Sequence, residues 1–422
     1  MPVSIGKLPR HACPSTQASE KAGERPLSRA PRPWHFFFLI MPYGASFGFV
    51  SVALPYVAKE RGISVGAIGA VVAAAYVPHV YKFLWAPVVD TTLTRKVWYL
   101  VAIVLVSIGT FASMATPIAM PSLTALTTMV VATQSGLTLL GMACEAMIGH
   151  GVPAHRKAAA AGWFQAGMFL GGGVGGGAAI ELMARFGGAT AGAILGALLA
   201  ACGLPLLLFD EHREADRSRL GSALRSLGRD LWGLARSRAG AIALVLCLSP
   251  IGSGAAGNLF GALADEWHAS RAVVELTTGG LAGVVSAAGA ASRTWVLDRV
   301  SRRVAYALAG GLTALSGVGM AIAPRAAWAY VVFTLAYLAL NGLAFAAFSA
   351  FAFETIGLGA VATKYNVLAS LVNVSIMYTT RVDSLAHARW GGTGVLLTDA
   401  AMTGSGIVAL AAIVAVTRRN AR

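Results

Sequence analysis

Runs of about twenty apolar residues recur along the whole of this 422-residue chain, parted by short connectors that hold most of its charge. A run of that length crosses the hydrocarbon core of a bilayer as a helix. Inside lipid, a helix or a closed barrel is the only way a backbone can satisfy its own hydrogen bonds. Only 12% of the residues are charged, against about 25% in an ordinary soluble chain, and 56% are hydrophobic. So little polar surface cannot cover a water-soluble globule of this size. The sequence predicts an all-α polytopic membrane protein.

Twelve spans are predicted, near 34–58, 64–87, 97–117, 122–149, 159–183, 190–209, 239–263, 272–292, 304–323, 327–353, 363–382 and 393–416. The connectors decide the orientation. With both termini on the cytoplasmic side, that side holds 25 of the 33 Lys and Arg residues and the outer side 7, with Lys82 left inside a span. Such an excess marks the cytoplasmic face, so a bacterial inner membrane with both ends inside is expected. The formal charge of +15 sits in connectors and tails and not on one face, which argues against a nucleic-acid partner. Residues 1–33 are polar up to Pro33, with no early apolar core of a signal peptide, and read as a disordered cytoplasmic tail. Residues 417–422 form a second tail.

Residues 34–209 and 239–416 read as two halves, because landmarks repeat. Pro42-Tyr43-Gly44 returns as Pro250-Ile251-Gly252, Asp90 as Asp298, Glu145 as Glu354 and Lys157 as Lys364, at offsets of 207 to 209 residues. Two six-helix halves related in parallel are the architecture of the major facilitator transporters, whose solute binds near mid-membrane between halves that rock about it. The linker 210–238 carries seven arginines and leucines at three- and four-residue spacing. It reads either as an amphipathic helix on the membrane surface or as a solvated linker.

Specific strings strengthen this. Asp298-Arg299-Val300-Ser301-Arg302-Arg303 resembles the major facilitator loop signature D-R-x-G-R-R, with Ser301 in the glycine position. The earlier turn is looser, Asp90 being followed by Thr91 and later by Arg95 and Lys96. Lys82-Phe83-Leu84-Trp85-Ala86-Pro87-Val88-Val89-Asp90 resembles the K-F-L-W-A-P-x-x-D of AmpG-type muropeptide permeases and their peptide, acetyl-CoA and drug-transporting relatives. Ala362-Thr363-Lys364-Tyr365-Asn366-Val367-Leu368 resembles A-T-[KQ]-[YF]-x-x-L of the same branch. AmpG-type permeases usually carry two further spans, so the length is closer to the siderophore-uptake members. The resemblance implies proton-driven import of a peptide-like, muropeptide or siderophore solute. The alternatives are a drug or metabolite antiporter working as an exporter, and a membrane sensor that keeps the fold.

Several residues are expected to carry mechanism. Asp90 and Asp298, with Arg95, Lys96, Arg299, Arg302 and Arg303, are expected to latch the cytoplasmic face through charge-assisted hydrogen bonds to the opposite half. The alternative is that they only fix topology. Lys82 lies roughly 12 Å along its helix from the turn. A charge there is costly and by default functional, and Glu145 lies at a similar depth in a helix of the same half. A Lys82–Glu145 ion pair is expected, the alternative being that Lys82 snorkels to the headgroups. Position 290, the mate of Lys82, is alanine. Glu354 thus lacks a matching cation and is the first candidate for the coupling proton, unless Arg293 or Lys364 reaches it. Arg381 and Asp383 are read as ending span eleven, and an Arg381–Asp399 pair as a clamp or gate at the outer surface.

His79, Tyr43, Trp163, Gln165, Asn258, Asn341 and Asn373 form a set suited to line a cavity for a sizeable, partly apolar solute. Taken one by one, each reads as ordinary helix packing. Gly167-x-x-x-Gly171 and the run Gly171 to Gly177 suit close helix contact. Gly172 takes the place of a proline in the antiporter version of that pattern, which weakens the exporter reading. No Walker motif, metal spacing or nucleophile elbow is present. No cofactor, metal or enzymatic activity is expected, and the four cysteines make no disulfide framework. The partners expected are a small solute, protons and lipid, around a monomer.

Overall fold

Each apolar run folds as a helix, and a few prolines and glycines decide where the helices break. The computed structural model describes residues 29–85, 88, 89, 92–211, 221, 225, 228, 229, 232, 233, 236–292, 300–356 and 361–419. Side chains are described for most of these, but not for 154, 158, 238, 239, 241, 353–356, 361–365 or 414–419. Among the described residues the chain is helical, with no strand.

Helix α1 spans His35–Glu60, α2 Val65–Leu84, α3 Arg95–Ala115 and α4 Met120–Gly151. Ser64 caps α2 by accepting from Ala67 N at 3.3 Å, and Thr94 caps α3 by accepting from Val97 N at 3.4 Å. Such caps satisfy amides left free at a helix start. Helices α5 and α6, residues 157–186 and 188–208, are separated by Gly187 alone, which has φ 75°. Helix α7, 238–267, is interrupted between Leu248 and Ala255. Pro250 lacks the amide a helix needs, and Gly252 and Gly254 then take φ of 64° and 65°. Helix α8 is Arg271–Ala291, α9 Arg302–Ile322 and α10 Ala327–Ile356. Helices α11 and α12, 361–390 and 392–419, turn at Gly391, φ 59°.

Among the described residues nine stretches are long and apolar enough to cross a membrane. Two of these hold the hairpins at Gly187 and Gly391, and α7 adds a broken pass, which accommodates the expected twelve. The turns differ from expectation. Span eleven does not end at Arg381 and Asp383, because the helix runs on to Trp390. Charges there looked like a loop, but both side chains turn into the protein, Arg381 to the Gly66 carbonyl and Asp383 into the buried interior of the second half. The linker 210–238 falls largely outside the described residues.

The two hairpins are established by packing. Helix α5 runs parallel to α1, with Gly167 against Phe37, Gly171 against Met41 and Gly175 against Ala45. Helix α6 returns antiparallel to α3, with Gly188 against Met114 and Gly196 against Ser107. A Cβ at Gly44 would stand 2.0 Å from Met168 O, and one at Gly48 2.0 Å from Gly172 O, so backbone meets backbone along this seam. The glycine-rich run does what its composition suggests. The halves echo one another in a further pair. Tyr99 OH donates to Leu39 O on α1, and Tyr306 OH donates to Ile251 O on α7 at 2.5 Å.

Both termini of the helical body, the end of α2 with the start of α3, and the end of α8 with the start of α9 lie at one end, called here the terminal end. The α1–α2, α5–α6, α7–α8 and α11–α12 turns lie at the distal end. Across the halves, α2 packs on α11 and α5 on α8. Gly69 meets Thr380 and Ser384, Gly173 meets Gly279, and Gly261 meets Val52. The α5–α8 and α1–α7 contacts run from the middle of the bundle to the distal end, while α2 and α11 also meet nearer the terminal end, at Lys82–Leu84.

Candidate functional site

The middle of the first half holds a buried polar triad. Pro78 starts a new turn in α2 and brings His79 inward, 2% exposed. His79 Nε2 is 2.9 Å from Gln134 Oε1 on α4, and its Nδ1 is 3.2 Å from Tyr43 OH on α1. A proton on Nε2 donated to Gln134 leaves Nδ1 to accept from Tyr43. Phe47 and Tyr76 close around the imidazole edge-on and tilted. Tyr76 OH donates to Asn258 Oδ1 across the seam at 3.1 Å, and Asn258 Nδ2 donates to Thr380 on α11. Asn373 donates to Ala369 O and reaches His79 O, again across the seam. Asn341 donates to Gly252 O, within the break of α7. The structure thus gathers Tyr43, His79, Asn258 and Asn373 into one mid-bundle network and puts Asn341 on the α7 break. Gln134, which the sequence reading missed, fixes the His79 ring at the centre of that network.

Toward the terminal end the interior opens. Glu145 is exposed, yet it sits on the inward face of α4, one turn from Gly141, which adjoins the Tyr43 ring. Trp163 is 46% exposed and Gln165 partly so, on α5. Lys82 is partly exposed and its charge acts on both Glu145 and His79. Lys82 and Glu145 form no direct ion pair, contrary to expectation. Lys82 lies on the 3-10 turn Lys82–Leu84, and similar depth in the two helices does not bring its ammonium to the carboxylate. The two charges share one solvent-reached space instead. Two apolar grooves, beside Trp34 and Phe38 and beside Trp390 and Leu397, hold none of these residues.

The expected gating residues divide. Asp90, Asp298 and Arg299 lie outside the described residues, as does Arg293. Glu354 sits on α10 by its backbone, but its side chain, like that of Lys364, lies outside the described residues. Arg303 stacks over the Phe351 ring within its own half, and Arg302 has a partner of its own. Arg95 and Lys96 do not reach the other half. Their amides donate to Glu211 at 2.8 and 2.9 Å, and Lys96 Nζ donates to Leu206 O and Phe209 O. Glu211, just past α6, thereby caps α3 with a full negative charge at the positive end of its dipole. Glu211→Ala is expected to cost about 1–2 kcal/mol, read as a lower melting temperature of the purified protein. An unchanged value would reduce this cap to a passive contact.

The Arg381–Asp399 pair is also corrected. Arg381 Nη1 donates to Gly66 O on α2 at 2.6 Å. Asp399 instead accepts from Tyr337 OH at 3.0 Å and faces Asp383. An α-helix puts residues two apart on different faces, so Arg381 looks at the seam and Asp383 into the second half.

The distal end is closed by charge. Arg271 on α8 pairs with Glu181 on α5 and with Glu275, and Glu181 also pairs with Arg185. Lys59 on α1 is 3.7 Å from Asp265 on α7. Within the second half Glu266 accepts from His387 at 2.7 Å and from Gly392 N at 2.9 Å, with Arg325 at 3.9 Å. Arg325 also lies over the Trp267 ring. Burial pushes the Glu266 carboxyl up, but the His387 and Gly392 hydrogen bonds and the two positive groups hold it below the usual 4.5. A carboxylate so depressed stabilises the fold above its unfolded value, and that contribution fades as the pH falls below 4.5. The stability gap between the protein and Glu266→Gln is expected to shrink on acidification through that range, measured as melting temperature against pH. A gap that stays constant would remove the charge from this account.

Comparison with known proteins fits this geometry. The family model of the Major Facilitator Superfamily matches residues 36–379. No curated protein matches the sequence. The nucleoside transporter NupG is 13% identical with a TM-score of 0.69, over 90% of this chain and 98% of that one. The xylose transporter XylE from E. coli, in a partially occluded inward open conformation, is 12% identical with a TM-score of 0.66, over 89% of this chain and 96% of that one. A POT family transporter in complex with a thioalcohol conjugated peptide is 12% identical with a TM-score of 0.66, over 92% and 96%. At such identities the likeness is one of fold.

Proposed function

The chain belongs to the Major Facilitator Superfamily, and we propose that it is a proton-driven secondary transporter importing a peptide-like, muropeptide or siderophore solute by alternating access. The observation that carries the transport reading is the asymmetry of the seam. At the distal end the halves are joined by Glu181–Arg271 and Lys59–Asp265 and by backbone contact between α5 and α8. Below it, Tyr43, His79, Tyr76 and Asn258 form a polar and aromatic ceiling, and Glu145 and Lys82 line space reached from the terminal end. That is an inward-facing state if the terminal end is cytoplasmic, as the basic connectors imply. Rings and amides in the ceiling suit a solute with both apolar and hydrogen-bonding faces. The peptide-like reading draws on the AmpG-like strings at Lys82–Asp90 and Ala362–Leu368.

Glu354 is the proposed coupling proton site, with Lys82 and Glu145 as the charge pair that senses the solute from the first half. Asp90 and Asp298 with their basic neighbours are proposed to close the cytoplasmic face in the opposite state. The test is thermal stabilisation of the purified protein by a panel of muropeptides, ferric and iron-free siderophores, peptides and drugs. A bound solute raises the melting temperature by mass action. A muropeptide or siderophore shift supports import in this branch, and a shift with drugs alone favours export. A flat panel, together with no counterflow in liposomes, would favour a sensor.

A further inference from the structure

Two aspartates from neighbouring helices meet in the buried interior of the second half. Asp383 on α11 and Asp399 on α12 lie equally far from the turn at Gly391, about 12 Å below it. Asp383 is 0% exposed and Asp399 2%. Tyr337 on α10 donates its hydroxyl to Asp399 Oδ2, and the Ala256 amide, freed by the break in α7, faces the same carboxylate. Asp383 lies within reach of the Asp399 charge, and both act on Tyr337. Among the described residues, neither oxygen of Asp383 has a hydrogen-bond partner, nor has Oδ1 of Asp399.

Among the described residues, no basic group offsets this pair. Arg381 is committed to Gly66 O on α2, and His387 to Glu266. Arg389 is exposed beyond the end of the core. Helix α7 presents the Ala256 amide and Asn258, and the nearest titratable group of α2, Tyr76, is bonded to Asn258. Two facing carboxylates in a dry interior cannot both stay ionised without a counter-charge. Three orphaned carboxylate oxygens are the acceptors such a charge needs.

We propose that Asp383 and Asp399, with Tyr337, form an exchangeable site for one monovalent cation, a proton or a sodium ion. The site stands apart from Glu354, which lies roughly 25 Å further along α10 than Tyr337. Its neighbour Ser384 is pressed against Gly69 of α2, where a Cβ would stand 2.1 Å from the serine Cβ. Loading the site therefore bears on how α11 seats against α2, the seam that closes the distal end.

The site can be tested with no solute, so its failure is separate from any failure of the transport reading. The full chain in detergent is melted at pH 6 and pH 8 in choline chloride, and at pH 8 with sodium chloride replacing choline at constant ionic strength. A proton site makes the protein more stable at pH 6 than at pH 8. A sodium site raises the melting temperature at pH 8 with increasing sodium. Either shift is expected to be on the order of 2–5 °C. Asp383→Asn and Asp399→Asn, neutral and isosteric, are expected to remove most of it. A wild-type protein indifferent to both ions, or Asn variants that keep the full dependence, would overturn the proposal. Should the Asn variants fail to fold, Tyr337→Phe takes their place. It leaves both carboxylates but removes a donor to Asp399, and is expected to move the midpoint of the same dependence. An unmoved midpoint would count against the site.

Discussion

Gly173→Val is expected to hold the distal face open and to cut transport severely. Gly173 on α5 meets Gly279 on α8, and a Cβ at 173 would stand 2.1 Å from Gly279 O. That oxygen is backbone in the opposite half and cannot swing aside. The partner contacts are also closer than a Cβ can sit, at 2.9 Å for Gly279 against Gly177 and 2.4 Å for Gly283 against Phe169 O. A valine must push the halves apart along this seam, straining Glu181–Arg271 beyond it. Overpacking of this kind costs about 1–3 kcal/mol in the state that holds the contact. Charged to the distally closed state alone, it shifts the balance by roughly 5- to 150-fold. Spin labels at Arg61 and Arg389, exposed on opposite halves at the distal end, would report a longer mean distance. Gly172→Ala is the control, since a Cβ there meets only Gly44 O at an ordinary 3.6 Å. If Gly173→Val left the distance distribution of the wild type, the α5–α8 contact would not be a closing element.

Glu354→Gln is expected to abolish gradient-driven accumulation and to spare exchange of solute across the membrane. Glutamine keeps the size of the side chain and its hydrogen bonding but cannot exchange a proton. Glu145, the repeat mate of Glu354, faces solvent-reached interior next to the Lys82 charge. At the mate of Lys82 stands Ala290, which brings no charge to Glu354. The uncompensated acid is the one suited to carry a proton through the cycle. In liposomes with a proton gradient, the solute inside should rise no higher than outside, while labelled solute still exchanges for unlabelled. Accumulation that survives at the wild-type level would take the role from Glu354 and make Asp383 and Asp399 the next acids to substitute.

How much of this was legible beforehand differs from element to element. The helices were legible, because lipid leaves an apolar run of twenty residues no other way to satisfy its backbone. The glycine run of α5 was legible as a close-packing surface, because small residues are what such contact requires. Its two partners were not, since the same run seats α1 on one side and α8 on the other. The ends of spans were misread where charges fell inside the protein, as at Arg381 and Asp383. Glu211 and Glu266 fell in expected connectors and Glu181 near the end of an expected span, and nothing in their spacing announced a helix cap, a turn clamp or a bridge between halves.

Hydropathy, the basic connectors and the 208-residue echo between Asp90 and Asp298 therefore determined the class of fold and the doubling of its halves. Those features depend on composition and local pattern, which lipid reads residue by residue. Tertiary structure alone decided that Arg381 serves Gly66 while Asp383 faces Asp399, and that Lys82 shares a space with Glu145 without touching it. Each of those outcomes turns on the rotation of one helix about its axis. That rotation is set by the turn at Pro78, the break at Pro250–Gly254 and the hinge at Gly391, and by what the neighbouring helices present at the same depth.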